Sequence, residues 1–95
     1  MLPIREVYWD DNAVGHLSER HITPEDIEEI VFGIDGDSPC YLFRKDGEYY
    51  TVSGQAGNGR LLHIVGEFIA PGVFRPFGAR DMDAAQARKF RSKGK

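Results

Sequence analysis

Histidine and arginine are the side chains of this sequence whose types and spacing could support chemistry. Asn12, His16 and Arg20 follow one another at intervals of four, so on a helix they form one polar stripe. The imidazole of His16 would then be exposed and able to exchange a proton near neutral pH. A surface histidine without a function fits the same spacing and is the more frequent case, so the pattern leaves both interpretations open.

The other two histidines fall on apolar faces. His21 lies on the same helical stripe as Leu17, which predicts that it packs at a junction between two helices. His63 alternates with Leu61 and Val65, which is typical of a core histidine whose hydrogen bonds are satisfied.

Three arginines lie on or beside the last two predicted strands: Arg60, Arg75 and Arg80. Guanidinium is permanently charged, and its planar fork suits phosphate or carboxylate. Regular alternation along a strand places Arg75 and Arg80 on opposite faces, whereas a bulge at Pro76 would bring them to the same face.

Arg80 is expected where the last helix begins, at the positive end of the helix dipole. A cation at that position needs a compensating anion. Asp81 and Asp83 could supply it from within the chain, and a bound phosphate held by the helix amides would use the same geometry. The sequence leaves these two alternatives level.

The composition excludes several classes of protein. No apolar run approaches the roughly 20 residues of a membrane span, and the first residues lack the features of a secretory signal. Cys40 is the only cysteine, which excludes an internal disulfide and fits a reducing cytoplasm. One cysteine and scattered histidines give no metal-ligand spacing, so neither a metal nor another cofactor is expected.

The net charge of −3 hides an asymmetry between the two parts of the chain. Residues 1–38 hold ten acidic residues and two arginines, whereas residues 39–95 hold ten basic and five acidic residues. Such a division is consistent with an anion-binding half beside an acidic, solvated helix. Pairing of these charges within the fold is the alternative.

The pattern of elements predicts a single α+β domain spanning residues 1–95. A short strand in 4–10 precedes a helix in 10–21 and a second helix from Thr23, its N-cap, to Gly33. A four-stranded antiparallel meander follows, with its first hairpin turn at Asp46-Gly47. Its strands are expected at 40–45, 48–54, 60–69 and 73–79, the third of them central and buried on both faces. A helix over 81–91 completes the fold.

Four segments carry a resemblance to a known family: "YWDDN", "RHITPEDIEEIVFG", "GRLLHIV" and "FRPFGARDMDAAQARKF". In this order they resemble the BrnT family of type II toxin–antitoxin toxins, which is related in fold to the RelE-like ribonucleases. The most specific part is the run containing Arg75, Ala79 and Arg80. The resemblance implies a cytoplasmic toxin that cuts RNA without a metal and is neutralised by a cognate antitoxin.

Several positions depart from the family pattern. "RHIT" lacks the usual glycine, so either Arg20 or His21 occupies the position of the family's histidine. Gly78 replaces a serine, and Gln86 and Phe90 stand where a glutamate and a tyrosine are common. An alternative function follows, in which a catalytically weak or inactive toxin-like module binds RNA or a partner protein.

As an endoribonuclease, the chain would use His16, with His21 as its substitute, for proton transfer, and Arg80 to stabilise charge at the phosphorus. RNA binding is expected from five further side chains: Asn12, Arg20, Arg60, Arg75 and Gln86. The expected partners are RNA and the antitoxin, with a homo-oligomer as a further possibility and no membrane.

Overall fold

A computed structural model describes residues 4–33 and 41–93 of the chain. This part is an α+β arrangement of three helices and one five-stranded sheet, as expected. The elements in chain order are β1 (Glu6–Val7), α1 (Asp11–Glu19), α2 (Pro24–Phe32), β2 (Tyr41–Asp46), β3 (Tyr49–Gln55), β4 (Leu61–Ala70), β5 (Val73–Asp81) and α3 (Ala84–Lys93). Cys40, the first residue predicted for the strand β2, lies outside the described residues.

The sheet has the strand order β1-β5-β4-β3-β2. The four long strands form the predicted antiparallel meander, while β1 pairs with β5 in parallel through only two residues. β1 is shorter than expected, and Asp10, the last residue predicted for it, is instead the N-cap of α1 and accepts a hydrogen bond from the Ala13 amide at 2.8 Å. No helix of the described residues is long and apolar enough to cross a membrane.

Local sequence signals define the helix α2. Thr23 and Asp26 form the predicted capping box, in which each side chain accepts a hydrogen bond from the other residue's amide. Pro24 occupies the first turn, where a missing N–H costs nothing, and Gly33 ends the helix with a positive φ of 91°. The stripe of Ile27, Ile30 and Val31 is buried, as expected.

The hydrophobic core lies between the two N-terminal helices and one face of the sheet. Leu17 of α1 packs there, with the buried stripe of α2, against Val52, Ile64 and Phe74. β4 is the central strand, but the expectation that it is buried on both faces is wrong. Val65 is 40% exposed, because the second sheet face is not covered by α1 and α2.

The first hairpin turns one residue later than predicted. Asp46 pairs with Tyr49 at the end of the ladder, so the loop consists of Gly47 and Glu48 instead of Asp46 and Gly47. Gly47 has a φ of 67°, which fits the first central position of a type II′ turn.

A bulge interrupts the pairing between β4 and β5. Val65 pairs with Gly78 and Gly66 pairs with Pro76, so Phe77 has no partner on β4. The extra residue reverses the alternation, and Arg75 and Arg80 consequently face the same side of the sheet. The predicted effect of a bulge at Pro76 is confirmed.

The end of β5 differs from the expectation for Arg80. The strand continues to Asp81, and α3 begins only at Ala84. Arg80 is therefore a strand residue paired with His63, and its predicted position at the helix N-terminus is wrong. The strand extends because the ladder with β4 continues through Leu62 and its partner Asp81.

The bulge requires a glycine at position 66. A Cβ there would lie 2.5 Å from the Arg75 carbonyl oxygen and 2.6 Å from the Phe74 ring. We expect Gly66→Ala to lower the free energy of unfolding by about 1–3 kcal/mol through overpacking. Chemical denaturation measures this change.

Gly15→Ala is the matched control, since a Cβ at this helical position meets nothing within 4 Å. It should raise the free energy of unfolding by about 0.5–1 kcal/mol, because alanine is the better helix former. Equal stability of the two variants would contradict the close packing at the bulge.

Candidate functional site

The uncovered sheet face forms a groove between β2–β5 and α3. This sheet groove has a volume of about 700 Å³. Arg44, Ser53, His63 and Arg80 line it from four neighbouring strands. The helix α3 closes one side, through a set of side chains that includes Gln86, Lys89 and Phe90.

A smaller depression of about 350 Å³ adjoins the sheet groove. It shares His63, Val65 and Arg80 with the groove and adds His16 and Arg20 from α1. The residues common to both cavities make one continuous surface. His63 and Arg80, opposite each other in the β4–β5 ladder, lie at its centre.

The charge of this surface contrasts with the net charge of the protein. Four permanent cations line the two cavities: Arg20, Arg44, Arg80 and Lys89. No carboxylate lines either cavity among the residues that the structure describes. The chain as a whole carries −3, so the positive charge is concentrated where an anion could enter.

Arg80 is the cation at the centre of the surface, and it is exposed. Its Nη1 donates to the Gln86 Oε1 at 3.4 Å, and within residues 4–33 and 41–93 it makes no ion pair. The internal anions proposed for it from the sequence have other partners. Asp81 binds Arg60, and Asp83 caps α3.

Gln86 holds both the start of α3 and the guanidinium of Arg80. The backbone N–H of Gln86 donates to the Asp83 Oδ1 at 2.7 Å, and the side-chain Oε1 of Gln86 accepts from the backbone N–H of Asp83 at 3.0 Å. This is a reciprocal capping box. Gln86 lines the groove, and it also has a structural role that the sequence interpretation missed.

His63 is not the satisfied core residue that its apolar neighbours indicated. Its Nδ1 lies 2.6 Å from the Ser53 Oγ, while its Nε2 is buried and has no hydrogen-bond partner among the described residues. Burial lowers the pKa of His63, and the charge of Arg80 lowers it further, whereas Gln86 and Asp83 act in the opposite direction. The net shift favours the neutral ring.

Arg60 does not face the groove, in contrast to its predicted role in binding phosphate. Its Nε and Nη2 bind the two carboxylate oxygens of Asp81 at 3.1 and 2.9 Å. Nη1 donates to the His21 carbonyl at 2.6 Å and Nη2 to the Arg20 carbonyl at 3.2 Å. The guanidinium links the α1–α2 connection to the end of β5, so its donors are used within the fold.

Arg75 is likewise paired within the protein. Its guanidinium lies 3.3 Å from the Glu67 carboxylate and 3.8 Å from that of Asp10, with the Phe77 ring centroid 5.1 Å from its Cζ. Arg75 lines neither cavity. The bulge brings it to the face of Arg80, but the two carboxylates neutralise it.

Only some of the site residues predicted on and just after α1 line a cavity. His16, Arg20 and Asn12 are exposed as the polar stripe predicts, but only His16 and Arg20 line the smaller depression. His21 does not pack at the helix junction: it follows the end of α1 with a φ of 58°, and its side chain is exposed. Its carbonyl contacts Arg60, and its ring lines neither cavity.

Among the described residues, no group of three or more histidine, cysteine or carboxylate side chains could hold a metal. Comparison of the chain with known protein families, with curated proteins and with solved structures found no match. What the protein does is therefore inferred from this surface and from the motifs of the sequence.

The groove residues that sequence reasoning missed come from strand pairing. Ser53 pairs with His63, which pairs with Arg80, so three side chains distant in sequence form one row across the sheet. The sequence signals that could predict this row are the turns between β3 and β4 and between β4 and β5, because the length of a hairpin loop determines the register of its strands. Arg44 lies on the same face of the sheet in β2, and Lys89 lies on α3; both line the groove.

The Arg60–Asp81 pair gives a testable dependence of stability on pH. Arg60 holds the pKa of Asp81 below its usual range. The pair therefore stabilises the fold at any pH at which the carboxyl is ionised in both the folded and the unfolded protein. This contribution is present above the ordinary carboxyl pKa and is lost as the pH falls through the lowered value. We expect Asp81→Asn to cost about 0.5–1 kcal/mol at neutral pH, since the carboxylate is largely exposed.

Urea unfolding at several pH values measures this effect. The difference between wild type and Asp81→Asn should shrink as the pH falls below about 4. Glu48→Gln, at an exposed turn position, is the control and should show no such difference. A cost for Asp81→Asn that persists unchanged in acid would contradict the ion pair as its source.

Proposed function

We propose that this protein is a metal-independent endoribonuclease toxin of the BrnT type, with a RelE-like fold. The observation that carries the proposal is the continuous surface on which Arg80 and two histidines lie together, and whose described lining contains four cations and no carboxylate. Phosphate binding relies on such positive charge. Histidine is the side chain best suited to transfer protons near neutral pH.

The reaction that fits these groups is attack by a ribose 2′-hydroxyl on the adjacent phosphorus. Arg80 has no ion-pair partner among the described residues, so its fork is available for the phosphate oxygens, where charge develops. Arg20, Arg44 and Lys89 would attract the flanking phosphates. His16 retains the proton-transfer role predicted from the sequence. Asn12, His21, Arg60 and Arg75 line neither cavity and have no assigned role at RNA in this proposal.

The remaining parts of the proposal follow from the BrnT resemblance. A toxin of this type acts in the cytoplasm and is neutralised by a cognate antitoxin protein. The motifs around Trp9, Thr23 and Arg80 support the toxin identity, together with the cationic surface.

A second candidate function is a toxin-like module that binds RNA but cleaves it weakly or not at all. Gln86 favours this candidate, because a side-chain amide cannot act as an acid or base. Its Oε1 also already accepts hydrogen bonds from the Asp83 backbone N–H and from Arg80. Phe90, at the position of a common tyrosine, also lacks an ionisable group.

Arg80→Ala is the test of the leading function. We expect the purified protein to cleave single-stranded RNA in the presence of a chelator, and the variant to lose about 100-fold or more of this activity. Arg88→Ala is the matched control: Arg88 is an exposed arginine on α3 that lines neither cavity, and this variant should retain the wild-type rate. Equal rates for the two variants would refute the role of Arg80.

The double variant Gln86→Glu, Phe90→Tyr distinguishes the two candidates. If the wild type binds RNA without cutting it and the double variant cuts it, the second function is correct. Glutamate at position 86 preserves the capping box, so a gain of activity would not reflect a change in the helix. Gel analysis of labelled RNA and a binding titration provide both measurements.

A further inference from the structure

We infer that the Nε2 of His63 is the general base that takes the 2′-hydroxyl proton, and that Ser53 is the positioning residue that selects this ring nitrogen. The inference rests on the proposed ribonuclease function and names the group that starts its reaction. It depends on three features of the groove: the Ser53–His63 contact, the unpartnered ring nitrogen and the adjacent Arg80.

The contact between Ser53 and His63 fixes the orientation of the imidazole. The two residues are direct partners in the β3–β4 ladder, and their side chains meet at 2.6 Å through Oγ and Nδ1. Ser53 is buried, being only 8% exposed. When the Nδ1–H donates to the serine oxygen, the second nitrogen, Nε2, carries the lone pair that a base requires.

The Nε2 is the nitrogen that lacks a partner. It is buried, and no described residue makes a hydrogen bond to it, although the Gln86 side chain lies near enough to raise the His63 pKa. His63 lines both cavities. A buried polar atom left without a partner is costly, so a hydroxyl group entering the groove would gain by donating to it. The geometry therefore favours a ligand with an O–H group at this point, which the ribose 2′-hydroxyl supplies.

The charged and polar groups around His63 come from five elements. They are Arg44 on β2, Ser53 on β3, Arg80 on β5, His16 and Arg20 on α1, and Asp83, Gln86 and Lys89 at α3. Burial and Arg80 lower the His63 pKa below 6.5, so the ring is ready to accept a proton at neutral pH. The same Arg80 would hold the scissile phosphate next to the base.

The step is a transesterification in which atoms and charges balance. The 2′-oxygen forms a bond to the phosphorus as its proton passes to Nε2, and the bond from the phosphorus to the 5′-oxygen breaks. The leaving oxygen takes a proton from His16, which lines the smaller depression together with Arg80. The products are a 2′,3′-cyclic phosphate and a 5′-hydroxyl end, and no co-reactant is required.

His63→Ala should reduce the single-turnover rate of RNA cleavage by about 100-fold or more, with little effect on RNA affinity. Added imidazole should restore part of the activity to this variant, which a purely structural role of the ring would not produce. Ser53→Ala should cause a smaller loss, and Ser53→Thr, which keeps the hydroxyl, should recover the rate. Ile69→Ala, at an exposed position on the same strand, is the control and should cleave normally.

The pH dependence and the ring tautomer test the assignment independently. The acidic limb of the wild-type rate should have its midpoint below pH 6.5 and should be absent from the residual rate of His63→Gln. Nitrogen NMR of the free protein should show the proton on Nδ1 and a bare Nε2 at neutral pH. A protonated Nε2 in that spectrum would overturn the assignment without reference to any activity.

The outcomes separate this inference from the function on which it rests. If the wild type cleaves RNA and Arg80→Ala abolishes cleavage, but His63→Ala is as active as Ile69→Ala, the base is another group and the ribonuclease proposal stands. If the wild type does not cleave RNA while its NMR spectrum shows the bare Nε2, the ribonuclease proposal and the general-base role fail together. The role of Ser53 in selecting the ring nitrogen then stands.

Discussion

The surface described above depends on one backbone constraint, the extra residue in β5 opposite the junction of Val65 and Gly66. Without Phe77 in excess, strand alternation would place either Arg75 or Arg80 in the hydrophobic core. The bulge lets both arginines reach the uncovered face while Phe74 and Ala79 remain buried on the other. Gly66 permits the two backbones to approach closely at this point. The position of Arg80 opposite His63 is therefore a property of the ladder.

The arginines near the end of the sheet differ in what satisfies their donors. Arg60 donates four hydrogen bonds, to a carboxylate and two carbonyls. Arg75 forms ion pairs with two carboxylates, although its buried Nε has no partner among the described residues. Arg80 has only the side-chain oxygen of Gln86. Guanidinium charge is the same in all three, so the local supply of acceptors decides which of them can bind an external anion. The first two hold elements together, and the third remains available.

Much of the fold could be predicted because its signals are local. Thr23, Pro24 and Gly33 define α2 through capping and backbone geometry, and the glycine-containing turns define the meander. The site was harder to predict, because Ser53, His63 and Arg80 come together only through register across three strands. The extension of β5 by two residues beyond its predicted end was enough to misplace Arg80 relative to the last helix. His63 was misjudged because alternation with apolar residues does not tell which face is covered.

One oxygen of Gln86 links the binding of a ligand in the groove to the stability of the first turn of α3. Its Oε1 accepts from the Asp83 amide, which begins α3, and from the guanidinium of Arg80. An anion that draws Arg80 toward itself leaves this oxygen to the cap alone, so occupancy of the groove and fraying of the helix are energetically coupled. Such coupling is reciprocal, and whatever holds or loosens the last helix also changes how strongly the groove retains its ligand. A ligand in the groove and the first turn of α3 would therefore affect each other through this one oxygen.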